Sequence, residues 1–393
     1  MTWPRVLIAG GSVGGLTAGV LLRDLGCEVD IYERAGTALE DRGAGIVVLP
    51  IAEKYFLEKS TANKRVSLEL THWTYLDRHG AVISADPDRF HFSGWSTMYR
   101  ALLEDFGRDR YHFGHQVVGF EQYGESVIVR FADDSTADGD LLIFADGFSS
   151  TGRSLLLPEV LPQYAGYVAW RGVTPEVDLS ERARRDLEDA MVYQVLPDGH
   201  ILAYAIPDAL GRTEHPHRII NFVWYRNYPR DGAFEDLMMG KDGEQRAGTM
   251  PPGLVRDHHL LEMRATAEQV LAPTLLEVVN GCDHPLIQAV FDLESPRMAF
   301  DRVCLIGDAA TTLRPHIAAG QAKACADAWA LRDALEDHDG DVKEALAAWE
   351  PTQLALAHSA LARTRAMGAA SQFDGTMRPG DPSWKFGLWQ PGN

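Results

Sequence analysis

The stretch Arg5-Val6-Leu7-Ile8-Ala9-Gly10-Gly11-Ser12-Val13-Gly14-Gly15 decides the fold. Its mainly apolar first half predicts a buried strand, and its second half matches G-x-G-x-x-G with Ser12 at the second glycine. Residues 16–25 have helical spacing that stops at Gly26, and residues 28–32 predict a second strand. Strand, glycine turn, helix and strand together predict one βαβ unit of about 30 residues.

Several positions of this turn have a physical role in binding a dinucleotide. Gly10 permits the tight turn, Ser12 is small enough for the backbone to approach a pyrophosphate, and Gly15 lets the helix pack closely on the strand. The free N–H groups at the start of the helix favour phosphate binding. Glu33, at the end of the second strand, is expected to accept hydrogen bonds from ribose hydroxyls. A glycine turn without a ligand is the alternative for the hexamer alone, and the order of elements favours the dinucleotide.

Two later motifs place carboxylates directly after predicted buried strands. The first is Ala145-Asp146-Gly147-Phe148-Ser149-Ser150-Thr151-Gly152-Arg153, although Asp-Gly is also a common turn. The second is Arg302-Val303-Cys304-Leu305-Ile306-Gly307-Asp308-Ala309-Ala310, followed by Arg314-Pro315-His316 and a predicted helix near Gly320. Because α/β sheets bind ligands at the carboxyl ends of their strands, Asp308 and the positive end of that helix are expected at one crevice.

In this order and at these distances, the three motifs resemble those of the single-component (class A) flavoprotein aromatic hydroxylases typified by para-hydroxybenzoate hydroxylase. The resemblance spans nearly the whole chain and implies non-covalent FAD, with NADH or NADPH as co-substrate. By this resemblance, Asp146 lies near the pyrophosphates, Asp308 holds the ribityl chain and Pro315 lies beside the flavin ring. The expected cofactor residues are Gly10, Ser12, Val13, Gly14, Gly15, Glu33, Arg34, Arg42, Gly45, Val47, Arg100, Asp146, Asp308, Pro315, Ala318, Ala319, Gly320, Gln321 and Ala322.

A narrower resemblance is to hydroxylases of dihydroxypyridines. It rests on residues 165–173, 314–316, 318–320, 322–323 and 386–388. The chain departs from the wider family at three positions. Thr311 stands where the family often has His, and Ala318 and Ala322 replace common Gly and Asn positions. In the family, FAD binding at these positions uses backbone atoms, so the three departures do not alter the expected FAD binding. They bear instead on flavin tuning and on the substrate contacts.

The resemblance implies a monooxygenase in which NAD(P)H reduces the flavin and a C4a-hydroperoxyflavin hydroxylates an electron-rich ring. The protein then orients the substrate, excludes water and deprotonates a ring hydroxyl where a base is present. His316, beside Pro315, and Arg171 are the candidate catalytic residues; a loop-capping histidine and a surface ion pair are the alternatives. The candidate substrate residues are Tyr204, Asn221, Trp224, Pro315 and His316, although strand alternation places Asn221 and Trp224 on opposite faces.

The expected fold class is α/β (α+β), with a Rossmann-like FAD-binding domain interleaved with an antiparallel β-sheet substrate domain and followed by C-terminal helices. The FAD-binding domain is expected in segments 1–71, 97–163 and 268–370. Segments 72–96 and 164–267 are expected to form the substrate domain, and residues 371–393 a C-terminal tail. A helix is predicted over 267–280.

Composition limits the function classes. The chain has 37 basic and 56 acidic side chains and a net charge of -19, which disfavours nucleic-acid binding. Its four cysteines show no metal-binding or disulfide spacing, so no metal site is expected, and they fit a cytoplasmic protein. No apolar run reaches the ~18 residues of a membrane span. The expected partners are a small aromatic substrate, O2 and NAD(P)H, with a homodimer as a further expectation.

Other function classes remain open at the sequence level. A related flavoenzyme, such as an epoxidase, a Baeyer–Villiger oxygenase or a natural-product tailoring oxygenase, is the enzymatic alternative. An FAD-binding redox sensor is the non-enzyme alternative. Turnover of hydroxypyridines with oxygenated product would distinguish the hydroxylase from these.

Overall fold

The computed structural model describes residues 3–39, 45–60 and 66–393. In chain order, the strands are β1 Arg5–Ala9, β2 Glu28–Glu33, β3 Gly45–Val48, β4 Leu68–Leu76, β5 Val82–Gly94, β6 Tyr111–Phe113, β7 Val117–Tyr123, β8 Ser126–Phe131, β9 Thr136–Gly139, β10 Leu141–Phe144, β11 Gln163–Pro175, β12 Ala190–Leu196, β13 Gly199–Ile206, β14 Ile219–Asn227, β15 Thr249–Met250, β16 Leu286–Glu294, β17 Ala299–Phe300, β18 Val303–Leu305 and β19 Thr311–Thr312. The α-helices are α1 Val13–Leu25, α2 Pro50–Glu58, α3 Trp95–Phe106, α4 Thr151–Leu156, α5 Glu181–Asp186, α6 Ala233–Leu237, α7 Asp257–Val270, α8 Pro273–Asn280, α9 Gly320–Asp337 and α10 Val342–Gln372.

A mostly parallel sheet contains the strands that precede the three motifs. Its order is β17-β18-β10-β1-β2-β6, and β2, β1, β10 and β18 run parallel to their neighbours, with β17 antiparallel at one edge. The buried strands β1 and β10 are apolar on both faces, as expected for strands covered by helices. All three motifs therefore follow the carboxyl ends of adjacent strands, at one edge of the sheet.

A second, larger sheet has the order β15-β16-β11-β14-β13-β12-β4-β5-β3, with β19 paired to β16. It is antiparallel except for β4 and β12, which pair in parallel. Strands of the two sheets alternate along the chain, and α9 and the long α10 follow them, so the predicted interleaved α/β class is confirmed. A separate three-stranded sheet is formed by β7, β8 and β9.

Two strands lie across the expected domain segments, and one predicted element differs from the observed ones. The predicted boundary at residue 71 falls inside β4, and β16 joins the large sheet from within segment 268–370. The single helix predicted over 267–280 is wrong, because the structure has α7 ending at Val270 and α8 starting at Pro273. Proline lacks the N–H needed to continue the first helix and holds Ala272 extended at ψ 147°.

Among the described residues, no helix is both long enough and apolar enough to cross a membrane.

Candidate active site

The glycine turn after β1 has the close backbone approaches that its sequence predicts. Gly10 has φ 104°, and a Cβ there would lie 2.4 Å from the carbonyl oxygen of Ala145. A Cβ at Gly15 would lie 2.0 Å from the carbonyl oxygen of Gly10. Ser12 is the N-cap of α1, but its side chain makes no capping hydrogen bond. The first-turn N–H groups of α1 therefore remain available for an anionic ligand.

Glu33 ends β2 beside this turn and is buried. Its two carboxylate oxygens accept hydrogen bonds from the backbone N–H groups of Gly11, at 3.0 Å, and Ala35, at 2.8 Å. These two bonds fix the carboxylate against the turn and leave further lone pairs for hydroxyl donors. Arg34, the next residue, is exposed. Arg42 lies outside the residues that the structure describes.

The Asp-Gly and Gly-Asp motifs are joined by Arg153, a link that the sequence analysis did not identify. The buried Arg153 guanidinium donates to the carbonyl oxygens of Phe148, at 2.6 Å, and Ala309, at 3.0 Å. Asp146 accepts from the N–H of Thr151 at 2.7 Å, so it stabilises the start of α4, and burial raises its pKa. Its other carboxylate oxygen is buried without a partner in the described chain.

Asp308 lies in a deep crevice, where its side chain is accessible from the cavity. Desolvation by the surrounding residues raises the pKa of this carboxyl, while the positive charges of Lys323 and Arg153 lower it. Lys323 is itself buried and forms an ion pair with the buried Asp327 at 2.8 Å. Asp327 also accepts from the N–H of Gly307 at 2.8 Å, so this pair holds the turn that presents Asp308.

The segment before α9 brings its predicted residues to the same crevice. Pro315 begins a short 3-10 turn, and Ala318 has φ 55°, a left-handed conformation that glycine adopts more easily than alanine. Ala319 caps α9 without a side-chain hydrogen bond, so the N-terminus of α9 is open. Both polar atoms of the Gln321 side chain are buried without a partner among the described residues.

One cavity of about 430 Å³ connects these parts. Its cofactor end is lined by Ser12, Val13, Gly14, Gly45, Val47, Ala145, Gly147, Gly307, Asp308, Pro315, Ala318, Gly320 and Gln321. Its other end is lined by Arg171, Tyr193, Tyr204, Val223, Tyr225, His316 and Phe386. Ala319 and Ala322 are buried next to this lining.

The residues present fit FAD. The backbone turn at Gly10 and Gly15 has no room for side chains, and two helices, α1 and α9, begin without side-chain caps at the cavity. The unpartnered amide of Gln321 and the accessible carboxylate of Asp308 add a donor, acceptors and a place for hydroxyls. These features match a ligand that combines phosphates, hydroxyl chains and a polar ring.

Arg171 is fixed in the wall of the other end. Its guanidinium donates to Gln288 Oε1 at 3.0 Å and to the carbonyl oxygen of Gly45 at 2.7 Å. Within the described ranges, Arg171 has no carboxylate partner, and its Nε has no hydrogen bond. A fixed, unneutralised cation in a cavity wall favours an anionic ligand. Tyr204 lies nearby on β13, where burial raises its pKa to about 12 and Arg171 acts in the opposite direction.

His316 is buried at the cavity, and its Nε2 lies 2.6 Å from the hydroxyl of Tyr167. Its Nδ1 is buried with no partner in the part of the chain that the structure describes. Burial lowers the pKa of His316 well below its usual range, so the ring is neutral at pH 7. Tyr167 lies 149 positions away in sequence, and no local pattern indicated this contact.

Trp224, Asn221 and Arg100 are among the predicted residues that do not line the cavity. Trp224 faces the opposite side of β14 from Val223 and Tyr225, under the guanidinium of Arg226, so its expected substrate role is not supported by its position. Asn221 shares the pocket-side face but accepts from the N–H of Gly45 at 2.9 Å, which joins β14 to β3.

Arg100, on α3, also lies outside the cavity lining. Its guanidinium donates to the carbonyl oxygen of Ala209 at 2.9 Å, and its side chain lines a separate depression with Leu103 and Arg108. This position gives no support to the expected FAD contact.

Known proteins resemble this chain over nearly its full length. A family model described as FAD binding domain-like matches residues 164–292. The chain is 36% identical over 388 residues to 2,6-dihydroxypyridine 3-monooxygenase from Paenarthrobacter nicotinovorans, a match that covers 98% of this chain and 96% of the relative. It is 27% identical over 363 residues to 6-hydroxynicotinate 3-monooxygenase from Pseudomonas fluorescens, covering 85% and 83%.

The solved structure of 2,6-dihydroxypyridine-3-hydroxylase from Arthrobacter nicotinovorans superposes with a TM-score of 0.92 at 35% identity. That superposition covers 100% of this chain and 98% of the other. Fold and sequence therefore agree on one family along the whole chain.

Proposed function

This chain belongs to the single-component FAD-dependent aromatic hydroxylases, and from that premise we propose that its substrate is a small, electron-rich N-heteroaromatic ring of the hydroxypyridine class. It is an FAD-dependent monooxygenase, with NAD(P)H and O2 as co-substrates. The observation that carries the substrate proposal is the cavity of about 430 Å³, whose far end combines aromatic walls with Arg171 and His316. Such walls suit a flat ring that carries an anionic oxygen.

In the proposed reaction, the glycine turn, Glu33, Asp308 and Gln321 would hold the cofactor. When bound, FAD supplies the electron transfer from NAD(P)H and the activation of O2. Arg171 attracts and orients the ring through its negative charge. The buried rings of Tyr193 and Tyr225, with Phe386, exclude water from the reacting end.

Two relatives act, by their names, on 2,6-dihydroxypyridine and 6-hydroxynicotinate, and both substrates are small hydroxylated pyridines. We therefore propose these two compounds as the first test substrates. The purified, FAD-loaded protein is expected to oxidise NADH or NADPH faster when one of them is present. The product is expected to contain one oxygen atom from isotopically labelled O2, detected by mass spectrometry.

Pyridine without a hydroxyl group is the matched control, because it has the same ring but cannot become an anion. The proposal fails if no hydroxypyridine stimulates NAD(P)H oxidation above this control, or if stimulation produces only hydrogen peroxide.

A further inference from the structure

We infer that His316 is a hydrogen-bond donor to an anionic substrate oxygen, with its proton fixed on Nδ1 by Tyr167, and not the base that deprotonates the ring. The inference rests on the proposed function, since it concerns how the same cavity recognises a hydroxylated ring. It assigns Tyr167 as a positioning residue, because Tyr167 acts only through His316.

Three polar groups converge beside Gly368 on α10. A Cβ at this glycine would lie 2.6 Å from the Tyr167 hydroxyl, 2.9 Å from Arg314 Nη1 and 3.2 Å from His316 Nε2. Arg314 is held by both carboxylate oxygens of Asp292, at 2.8 and 2.7 Å, and its guanidinium lies 5.8 Å from the centre of the Tyr167 ring. The Tyr167 hydroxyl therefore lies between a fixed cation and the imidazole.

The direction of the hydrogen bonds follows from what each group can donate. Arg314 can only donate, so its guanidinium, which lies beside the Tyr167 ring, cannot accept the hydroxyl proton of Tyr167. Within the described residues, the one hydroxyl proton of Tyr167 therefore has a single acceptor, His316 Nε2, at 2.6 Å. The reverse arrangement would leave this buried O–H without an acceptor, which is unfavourable.

An imidazole that accepts at Nε2 and is neutral carries its proton on Nδ1. Burial raises the pKa of Tyr167, so the phenol keeps its proton. Burial, His200 and Arg314 all lower the pKa of His316, so the imidazolium form is excluded near neutral pH. The remaining state is a neutral ring with an N–H at Nδ1.

The other groups around His316 do not change this assignment. The ring of Tyr225 lies 4.7 Å away and that of His200 5.4 Å away, between ring centres. Burial lowers the pKa of His200 to about 3, and its Nδ1 is 2.6 Å from the Ser371 hydroxyl, so it adds no charge. No carboxylate of the described chain contacts His316.

The Nδ1–H is buried, unpartnered within the described residues, and belongs to a residue that lines the cavity. A donor in this position favours a ligand oxygen that can only accept a hydrogen bond, as the deprotonated oxygen of an aromatic ring does. On this account the ring hydroxyl loses its proton to the solvent on binding, the O–H bond breaks and the oxygen keeps the electron pair. His316 gains no proton in the process.

Substitutions of His316 distinguish its role as a hydrogen-bond donor from a role as the base that deprotonates the ring. In His316→Asn the amide N–H can replace Nδ1–H, but an amide cannot take up a proton. We expect His316→Asn to keep most of the wild-type turnover with an unchanged pH profile, and His316→Ala to lose about tenfold or more. The inference is overturned if His316→Asn is as slow as His316→Ala and both recover as the pH rises above the pKa of the substrate hydroxyl.

Proton release gives a second, independent readout. A hydroxypyridine is added to oxidised, FAD-loaded enzyme without NAD(P)H, below the pKa of its hydroxyl, in weak buffer with an indicator dye. We expect the absorption spectrum of the bound ring to be that of the anion, with release of about one proton per bound ring. A ring bound in neutral form, or an anion bound with no proton released, would overturn the inference.

Tyr167→Phe removes the group that fixes the proton of His316, and we expect it to weaken binding of the anion severalfold and to lower proton release. Tyr164→Phe is the matched control on the same strand, since its hydroxyl donates to the carbonyl oxygen of Tyr228 at 2.8 Å. Equal effects of the two variants would contradict the role of Tyr167. Failure of the proposed function can be distinguished from failure of this inference, because it would be seen as absent turnover in the wild-type enzyme.

Discussion

Gly10 and Gly15 illustrate how a single hydrogen in place of a methyl group positions the cofactor. A Cβ added at Gly10 or Gly15 would lie only 2.4 or 2.0 Å from a backbone carbonyl oxygen, closer than any real Cβ contact. We predict that Gly15→Ala lowers the free energy of unfolding by about 1–3 kcal/mol, because α1 must shift from β1, and that it strongly reduces FAD binding. The flavin content of the purified protein and its denaturant unfolding curve measure the two effects.

Gly36→Ala is the matched control for this prediction, because a Cβ there meets nothing within 4 Å. It is expected to retain wild-type FAD content. Normal flavin content in Gly15→Ala would show that the turn does not hold the cofactor.

Single residues also show where sequence reasoning ends. The place of His316 beside Pro315 and the cavity followed from the motif order, whereas its partner Tyr167 comes from a strand 149 positions earlier. Alternation along β14 correctly excluded a shared facing for Asn221 and Trp224, but only the sheet order shows which face meets the cavity. Contacts made by distant strands carry no signal in a local sequence pattern.

Among the helices, α9 contains two ion pairs at the same i,i+4 spacing and the same 2.8 Å distance, one buried and one exposed. Lys323 and Asp327 are fully enclosed, whereas Arg332 and Glu336 are 22% and 51% exposed. Lys323→Met leaves Asp327 as an unpaired buried charge, and we predict a loss of about 3–5 kcal/mol of unfolding free energy. Glu336→Gln is predicted to change it by less than about 1 kcal/mol.

Denaturant unfolding of both variants measures this difference. The double variant Lys323→Met/Asp327→Leu is expected to recover much of the loss, because it removes both charges from the core. Equal small effects of the buried and exposed pairs would contradict the assignment of Lys323 and Asp327 as the support of the Gly307 turn.

The contact between α2 and β5 predicts a pH dependence. His91 Nδ1 lies 2.6 Å from Glu53 Oε2, and this hydrogen bond raises the pKa of His91 above 6.5 against the opposing effect of burial. Burial raises the pKa of Glu53, but the bonds from His91 and Ser67 outweigh it, and the net pKa falls below 4.5.

Because the folded pKa of His91 is raised, its contribution to stability is complete below pH 6.5 and is lost as pH rises through the folded pKa. The contribution of Glu53 is present above pH 4.5 and is lost as pH falls through its lowered pKa. We predict that wild-type melting temperature falls relative to His91→Gln between about pH 6 and pH 9. His217→Gln, at an exposed loop histidine, is the control and is expected to follow the wild type.

The elements that the sequence predicted best are those with a local cause. The bounds of β1, the start of β2 and the end of α1 at Gly26, with φ 110°, follow from apolar runs and a glycine cap. In contrast, no local pattern of the sequence predicts β5, because its outer half is exposed and paired only through β4. Pro273 marks the break between α7 and α8 in the sequence. The helical spacing continues on both sides of this proline, however, and therefore predicts one helix.

On the scale of the whole molecule, the cavity lies between two sheets that the chain enters alternately. The cofactor end is built from the turns after β1, β10 and β18, and the other end from β11, β13 and β14 of the large sheet. Motif order predicted the first end, because each motif adjoins its own strand. The second end depends on side-chain facing across a large sheet, which composition and spacing do not fix.

This arrangement predicts how FAD affects unfolding. Since β3, which contains Gly45 and Val47, belongs to the large sheet and also lines the cofactor end, FAD contacts should link the two sheets. We expect one calorimetric unfolding transition whose midpoint rises with FAD concentration, by an amount that corresponds to about 4 kcal/mol at 1,000 times the dissociation constant. Two transitions, of which FAD shifts only the first, would show that the large sheet unfolds independently of the cofactor and would contradict the shared cavity as a structural link.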